Sequence, residues 1–283
     1  MSPRFGEDPF SIKDPKETVE RIERFIRDHF QRIGAKLLVV GMSGGLDSSV
    51  TAAICSKAVG GRSVLGYSLP ESETWKDESI RDAKLVAKKF SIRLRVIDIT
   101  HIINTTEKLL SVQSTRKNAI ARANLKARLR AMILYYYSNT NNGLVVGTSD
   151  KSEMILGYFT KYGDGACDIA PLADMYKTSI RFLARHLSIP KTIISKPPSP
   201  ELWPGQTAEQ ELGVSYEKLD RILWGLERWM TPREIASELE LPLKLVTSIR
   251  HRWVSSEHKR RPPLAMKLGY RTPGQDLRIP YSL

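Results

Sequence analysis

Residues 37–50 read LLVVGMSGGLDSSV, and this stretch limits the fold more than any other. An apolar run without alternation suits a strand buried on both faces. The small polar residues behind it read as a tight turn that opens a helix over about 48–59. A strand covered on both sides needs helical crossovers, so the stretch asks for an α/β fold with a parallel sheet.

The remaining pattern agrees. Further apolar, β-branched runs occur at 64–69, 94–99 and 144–146, separated by helical stretches. Before the first strand, Asp14-Pro15 makes a helix start. Val19, Ile22, Phe25, Ile26, Phe30 and Ile33 then recur at helical spacing until Gly34. Residues 120–137 predict one long helix whose Tyr135-Tyr136-Tyr137 cluster suits packing, and the proline-rich 196–213 predicts a long loop. The expected architecture is a doubly wound, mainly parallel sheet with helices on both faces, followed by a helical C-terminal region. Residues 1–283 are expected to form a single domain.

Composition narrows the setting. With 41% hydrophobic residues in 283, the chain can bury a substantial core unaided, and two cysteines are too few for a disulfide framework. The N-terminus lacks the layout of a signal peptide and no run approaches a membrane span, so a reducing cytoplasm and no membrane are expected. The 44 Lys and Arg against 31 Asp and Glu call for an anionic partner. Nucleic acid, a membrane surface or a phosphorylated small molecule would each satisfy that charge.

The turn itself favours phosphate. Gly44 and Gly45 let several backbone N–H groups converge on one anion, Ser43, Ser48 and Ser49 add hydroxyls, and the following helix points its positive end at the same place. It lacks the Gly-Lys-Ser/Thr ending of a Walker A loop. Asp47 would repel a phosphate unless a divalent cation lay between them, and Mg²⁺ is the expected bridge. The plainer alternative is a tight turn that uses glycine for geometry alone.

The sequence SGGLDSS resembles the pyrophosphate loop of ATP pyrophosphatases, which have an adenine nucleotide α-hydrolase-like fold and cleave ATP to AMP and pyrophosphate. Further stretches occur in order: NLKARLR (124–130), GTSDKSE (147–153), GYFTKYGDGACDIAPL (157–172), ELGVSYEKLD (211–220) and SSEHKRRPP (255–263). Together they resemble the motifs of ammonia-dependent NAD synthetases over about residues 14–266. The resemblance implies a ligase that adenylates deamido-NAD with ATP and displaces AMP with ammonia.

Carried over residue by residue, the resemblance places Gly41, Met42, Ser43, Gly44, Gly45, Leu46, Asp47 and Ser48 on the ATP phosphates. Thr148, Lys177 and Ser199 would also contact ATP. Asp47 and Glu153 would bind Mg²⁺, with Asp164 on a second ion near the reacting carboxylate. Arg128, Lys161, Asp168, His258 and Lys259 would contact deamido-NAD, and Asp47, Lys177 and Asp164 would carry the chemistry. Each has a bland reading: Arg128 a solvated helix residue, Glu153 a helix-start acid, Asp164 a turn former. The chain departs from the family at Ser149-Asp150-Lys151, and in the WPGQTAEQ part of its loop. Ser199 stands where threonine is common.

No glutaminase domain is expected before Gly34, and Cys55 and Cys167 read as packing residues. Free ammonia, or ammonia delivered by a separate protein, is the expected nitrogen source, and the resemblance implies a homodimer. A competing reading comes from residues 231–253, TPREIASELELPLKLVTSIRHRW, which resemble a helix-turn-helix with Arg250 and Arg252 on its second helix. A nucleic-acid partner is nonetheless not expected, because the synthetase family ends in a similar helix pair leading to His258-Lys259. A tRNA-modifying ATP pyrophosphatase would need a catalytic cysteine or an RNA-binding appendage.

Overall fold

The computed structural model describes residues 8–112, 115, 118–199, 202–203 and 205–277. Asp14 starts the first helix, α1 (Pro15–Ile33), by accepting the Glu17 N–H, and Gly34 ends it in a left-handed conformation at φ 67°. Then follow β1 (Leu37–Gly41), α2 (Leu46–Val59), β2 (Val64–Ser68), α3 (Asp77–Lys89), β3 (Arg93–Val96), α4 (Thr100–Leu109), α5 (Ala119–Thr140) and β4 (Gly143–Val146). The helical remainder is α6 (Lys151–Leu156), α7 (Lys177–His186), α8 (Lys191–Ile194), α9 (Ala208–Leu212), α10 (Tyr216–Glu227), α11 (Pro232–Glu238), α12 (Leu243–Ser255) and α13 (Glu257–Arg260). The helix α2 begins two residues before its expected start. The proline-rich loop is interrupted by α9, which Thr207 caps by accepting the Gln210 N–H.

The four strands are parallel in the order β3-β2-β1-β4, with Leu38 beside both Val64 and Leu144. β1 therefore lies between the strand that follows it and one reached only after β3. That reversal makes the carboxyl ends of β1 and β4 the switch point of the sheet, where a crevice opens. β3 is one of the two edge strands, and its exposed Arg93 and Arg95 discourage further pairing.

Alternate strand residues serve opposite layers. Leu38, Val40, Val64 and Val146 pack with Ile26, Ile54, Val86 and Ile180 of the helices on one face. Val39, Leu65 and Tyr67 meet Ile99, Ile103 and Leu129 on the other. A third cluster joins Leu156, Tyr216, Leu223, Ile235 and Val246 in the helical remainder. Each fully buried Leu or Ile contributes about 1.5–3 kcal/mol, against about 1 kcal/mol for a helix cap. Packing across the sheet thus outweighs capping in holding the crevice open.

Candidate active site

The turn after β1 is shaped by its own hydroxyls. Ser49 Oγ donates to the Gly45 carbonyl at 2.7 Å, Ser48 Oγ to the same oxygen at 3.1 Å, and the Gly45 N–H donates to Ser43 Oγ at 3.2 Å. Gly44 sits at φ 81°, and a Cβ there would press on the Ser79 backbone. Only glycine fits. Gly45 caps α2 without a side-chain hydrogen bond, so the helix presents its N-terminal amides and positive dipole end to the crevice.

Across the switch point, Asp150 caps α6 with a reciprocal pair of bonds. Its Oδ1 accepts the Glu153 N–H at 2.8 Å, and Glu153 Oε2 accepts the Asp150 N–H at 3.4 Å. This box aims Glu153 at the same place as Asp47. Lys177, the first residue of α7, runs between them: its Nζ lies 2.6 Å from Asp47 Oδ2, 2.7 Å from Asp150 Oδ2 and 2.9 Å from Glu153 Oε1. Lys177 is 1% exposed and Asp150 wholly buried.

One ammonium cannot balance three carboxylates in such a place. Burial, with the Asp150 charge beside it, pushes the Glu153 carboxyl up to about 8. Burial raises Asp150 as well, against the pull of Lys177. For Lys177 burial acts against the charged form, and the three carboxylates outweigh it and hold the ammonium well above its ordinary range. Asp47, Asp150 and Glu153 bring oxygens within 4.8 Å of one another, and Asp47 Oδ1 is buried without a hydrogen-bond partner. An excess of buried carboxylate oxygens, with Asp47 Oδ1 unpartnered and Asp150 Oδ2 met only by its ion pair to Lys177, suits a hard divalent cation such as Mg²⁺.

Asp47, Glu153 and Lys177 line a cleft of about 300 Å³ together with Thr148, Ser199 and Asp164, with Asp150 buried behind them. Ser199 Oγ donates to the Gln206 carbonyl at 2.6 Å, which ties down the start of the proline-rich loop. Asp164 stands apart from the three-carboxylate group: its Oδ1 accepts the Thr160 N–H at 2.8 Å, so the turn-forming role holds as well. Thr160 Oγ1 in turn donates to Asn124 Oδ1 at 2.7 Å, linking that turn to α5.

Of the residues expected on the second substrate, none is among those lining the cleft, and a chain of contacts joins Arg128, Lys161 and His258. Arg128 is exposed on α5 and donates from Nε to the Lys161 carbonyl at 3.3 Å. Lys161 Nζ donates to the His258 carbonyl at 2.5 Å, and Lys259 Nζ reaches the carbonyls of Gly157 and Phe159 at 2.7 and 2.8 Å. Asp168 is turned toward the sheet end, accepting from the Val145 N–H at 2.7 Å and from Tyr135 Oη at 3.3 Å. Lys126 of the same α5 motif is buried against Glu71 at 2.9 Å, while Arg130 donates to the Leu69 carbonyl at 3.1 Å; the two brace the exit of β2.

Asp150 was missed as a third carboxylate, although Asp-x-x-Glu at 150–153 is a readable capping box. Tyr216 and Asp220 carried no local signal of their place under Lys177. The two cysteines are unpaired, and burial pushes the Cys55 thiol up to about 12, consistent with packing. The helix pair of 231–253 forms as α11 and α12, with Arg250 exposed and the half-buried Arg252 over the Tyr158 ring at 5.3 Å. Tyr158 lines the cleft, so this helix pair touches the site.

A parallel sheet with a phosphate-shaped turn at its switch point, facing an acid-lysine cluster in place of a Walker lysine, defines a nucleotide-handling α/β enzyme. Comparison with known proteins makes this particular. The NAD synthase family model matches residues 18–263, and the chain belongs to that family. It is 45% identical over 248 residues to the NH(3)-dependent NAD(+) synthetase of Methanocaldococcus jannaschii, covering 88% of this chain and 95% of that one. Among solved structures, the NMN synthetase of Francisella tularensis has TM-score 0.80 at 31% identity, with 91% of this chain and 100% of that chain covered. The NH3-dependent NAD synthetase of Campylobacter jejuni gives TM-score 0.74 at 28% identity, covering 90% and 100%.

Proposed function

We propose that this protein makes NAD⁺ by ATP-dependent amidation of deamido-NAD with ammonia, releasing AMP and pyrophosphate. The observation that carries the reading is its similarity to an NH(3)-dependent NAD(+) synthetase across 95% of that protein's length. The geometry of the phosphate turn and of the acid-lysine cluster supports the reading. The turn at 41–48 and the α2 N-terminus hold the ATP phosphates, with Thr148 and Ser199 on the same nucleotide. Asp47 and Glu153 would hold Mg²⁺, which supplies neutralisation of phosphate charge; Asp164 is assigned to a second ion near the reacting carboxylate.

The carboxylate of deamido-NAD attacks the α-phosphorus, and charge grows on the departing pyrophosphate. Lys177 is kept charged by its three carboxylates and lies where it can offset that growth. Ammonia then attacks the acyl carbon of the adenylate and AMP leaves. Arg128, Lys161, Asp168, His258 and Lys259 hold the dinucleotide, a polyanion that gives the basic composition a small-molecule partner. We place the enzyme in the cytoplasm as a homodimer. Met132 and Tyr136 support the dimer: one turn apart and exposed on α5 beside Arg128, they form an apolar patch suited to a second copy.

The test is incubation with ATP, Mg²⁺, either ammonium or glutamine, and either deamido-NAD or its mononucleotide counterpart. Equal formation of NAD⁺, AMP and pyrophosphate from deamido-NAD and ammonium supports the reading. Turnover with the mononucleotide alone overturns the substrate and points to the chemistry named for the Francisella relative. Absence of AMP and pyrophosphate overturns the reaction class.

A further inference from the structure

We infer that Asp220 is a positioning residue that sets the catalytic lysine from a distance, with the outer helix α10 as its carrier. The inference rests on the reading of Lys177 as a phosphate contact. The helix α7 begins at Lys177, and its N-cap, Tyr176, offers no side-chain cap. Orphan amides at a buried helix start need partners. Asp220, 42 residues downstream, supplies them: its Oδ2 accepts the Thr178 N–H at 2.8 Å and Thr178 Oγ1 at 2.7 Å. Its Oδ1 accepts from Ser152 Oγ at 2.5 Å, and Ser152 Oγ accepts the Lys177 N–H at 3.1 Å.

One carboxylate thus fixes the backbone of two consecutive residues, Lys177 and Thr178, and joins them to α6 at Ser152, next to Glu153. The same α10 reaches the site twice more. The Tyr216 ring lies 5.1 Å from Lys177 Nζ. Glu227 accepts from Tyr176 Oη at 2.5 Å and from Lys151 Nζ at 2.8 Å. Residues 216, 220 and 227 fall on one helix face, so α10 holds residues 176, 177 and 178 in sequence. Asp220 and Ser152 are both wholly buried and have no cationic contact at hydrogen-bond range among those bonds. A buried carboxylate without an ion pair is costly to fold around, and positioning supplies a reason for it.

Binding of inorganic pyrophosphate with Mg²⁺, measured by titration calorimetry, tests this without requiring turnover. Asp220→Asn keeps the shape but weakens the acceptor, Ser152→Ala removes the link to the Lys177 amide, and circular dichroism checks that each variant is folded. The expected result is a roughly 10-fold loss of pyrophosphate affinity in each, and no further loss when either is combined with Lys177→Met. In turnover, kcat should fall with the KM for deamido-NAD unchanged. Wild-type affinity in a folded Asp220→Asn or Ser152→Ala protein overturns the inference, as does full additivity with Lys177→Met. Failure of the NAD⁺ synthesis reading would show in the wild-type product assay, whereas failure of this inference shows only in the variants.

Discussion

Replacing Gly44 with alanine is the sharpest test of the phosphate turn. At φ 81° an L-residue is strained, and the added Cβ would stand 2.9 Å from the Ser79 carbonyl carbon and closer still to its oxygen. Non-bonded carbons settle near 3.5–4 Å, so α3 and the turn must part by about 0.5–1 Å. Left-handed strain costs about 1–2 kcal/mol and forced displacement of packed backbone about 1–3 kcal/mol. The expected destabilisation is therefore about 2–5 kcal/mol. Gly34→Ala is the control: its φ of 67° gives the same kind of strain, but nothing lies within 4 Å of the added carbon. Its expected cost is the strain alone, about 1–2 kcal/mol. Urea unfolding gives both energies, and calorimetry gives ATP affinity. A displacement near 1 Å at a reacting group lowers turnover about 100-fold, so Gly44→Ala should lose most activity and Gly34→Ala almost none. Equal destabilisation of the two variants, with ATP binding intact in Gly44→Ala, would refute the reasoning.

Asp47→Asn and Glu153→Gln should each lower NAD⁺ formation by about 100-fold or more; near-wild-type turnover in both would remove the metal assignment. Arg128→Ala should raise the KM for deamido-NAD more than that for ATP, and an equal effect on both would assign it to the fold. Stability against pH should carry the mark of Asp220, whose carboxyl burial pushes up to about 6. Between about pH 4 and 6 the unfolded chain releases this proton while the folded protein keeps it, so stability falls as pH rises, by roughly 3 kcal/mol in all. Asp220→Asn removes that contribution. The difference in urea midpoint between wild type and variant should therefore change across this window, and a constant difference would contradict the assignment.

Residues 37–50 alone determined the parallel α/β class, because an apolar run with no alternation followed by Ser-Gly-Gly has few other uses. The four strands, the long helix and the end of α1 at Gly34 were equally legible, since hydrophobic period and caps are local. Asp47 raised the expectation of a cation by its charge conflict with phosphate. Sequence periodicity placed Arg252 on the second helix of a pair, but only packing set its guanidinium over Tyr158. The tertiary fold alone decided the acid-lysine cluster. Asp47, Asp150 and Lys177 come from three separate helix starts, and they meet because β1 and β4 are neighbours in the sheet despite the two strands between them in sequence. Asp220 is further still from any local signal: a carboxylate at an interior helix position reads as solvated until the packing of α10 on α6 and α7 buries it. Local interactions select elements from a few neighbouring residues. Burial and charge pairing between distant segments exist only once the strand order has been chosen.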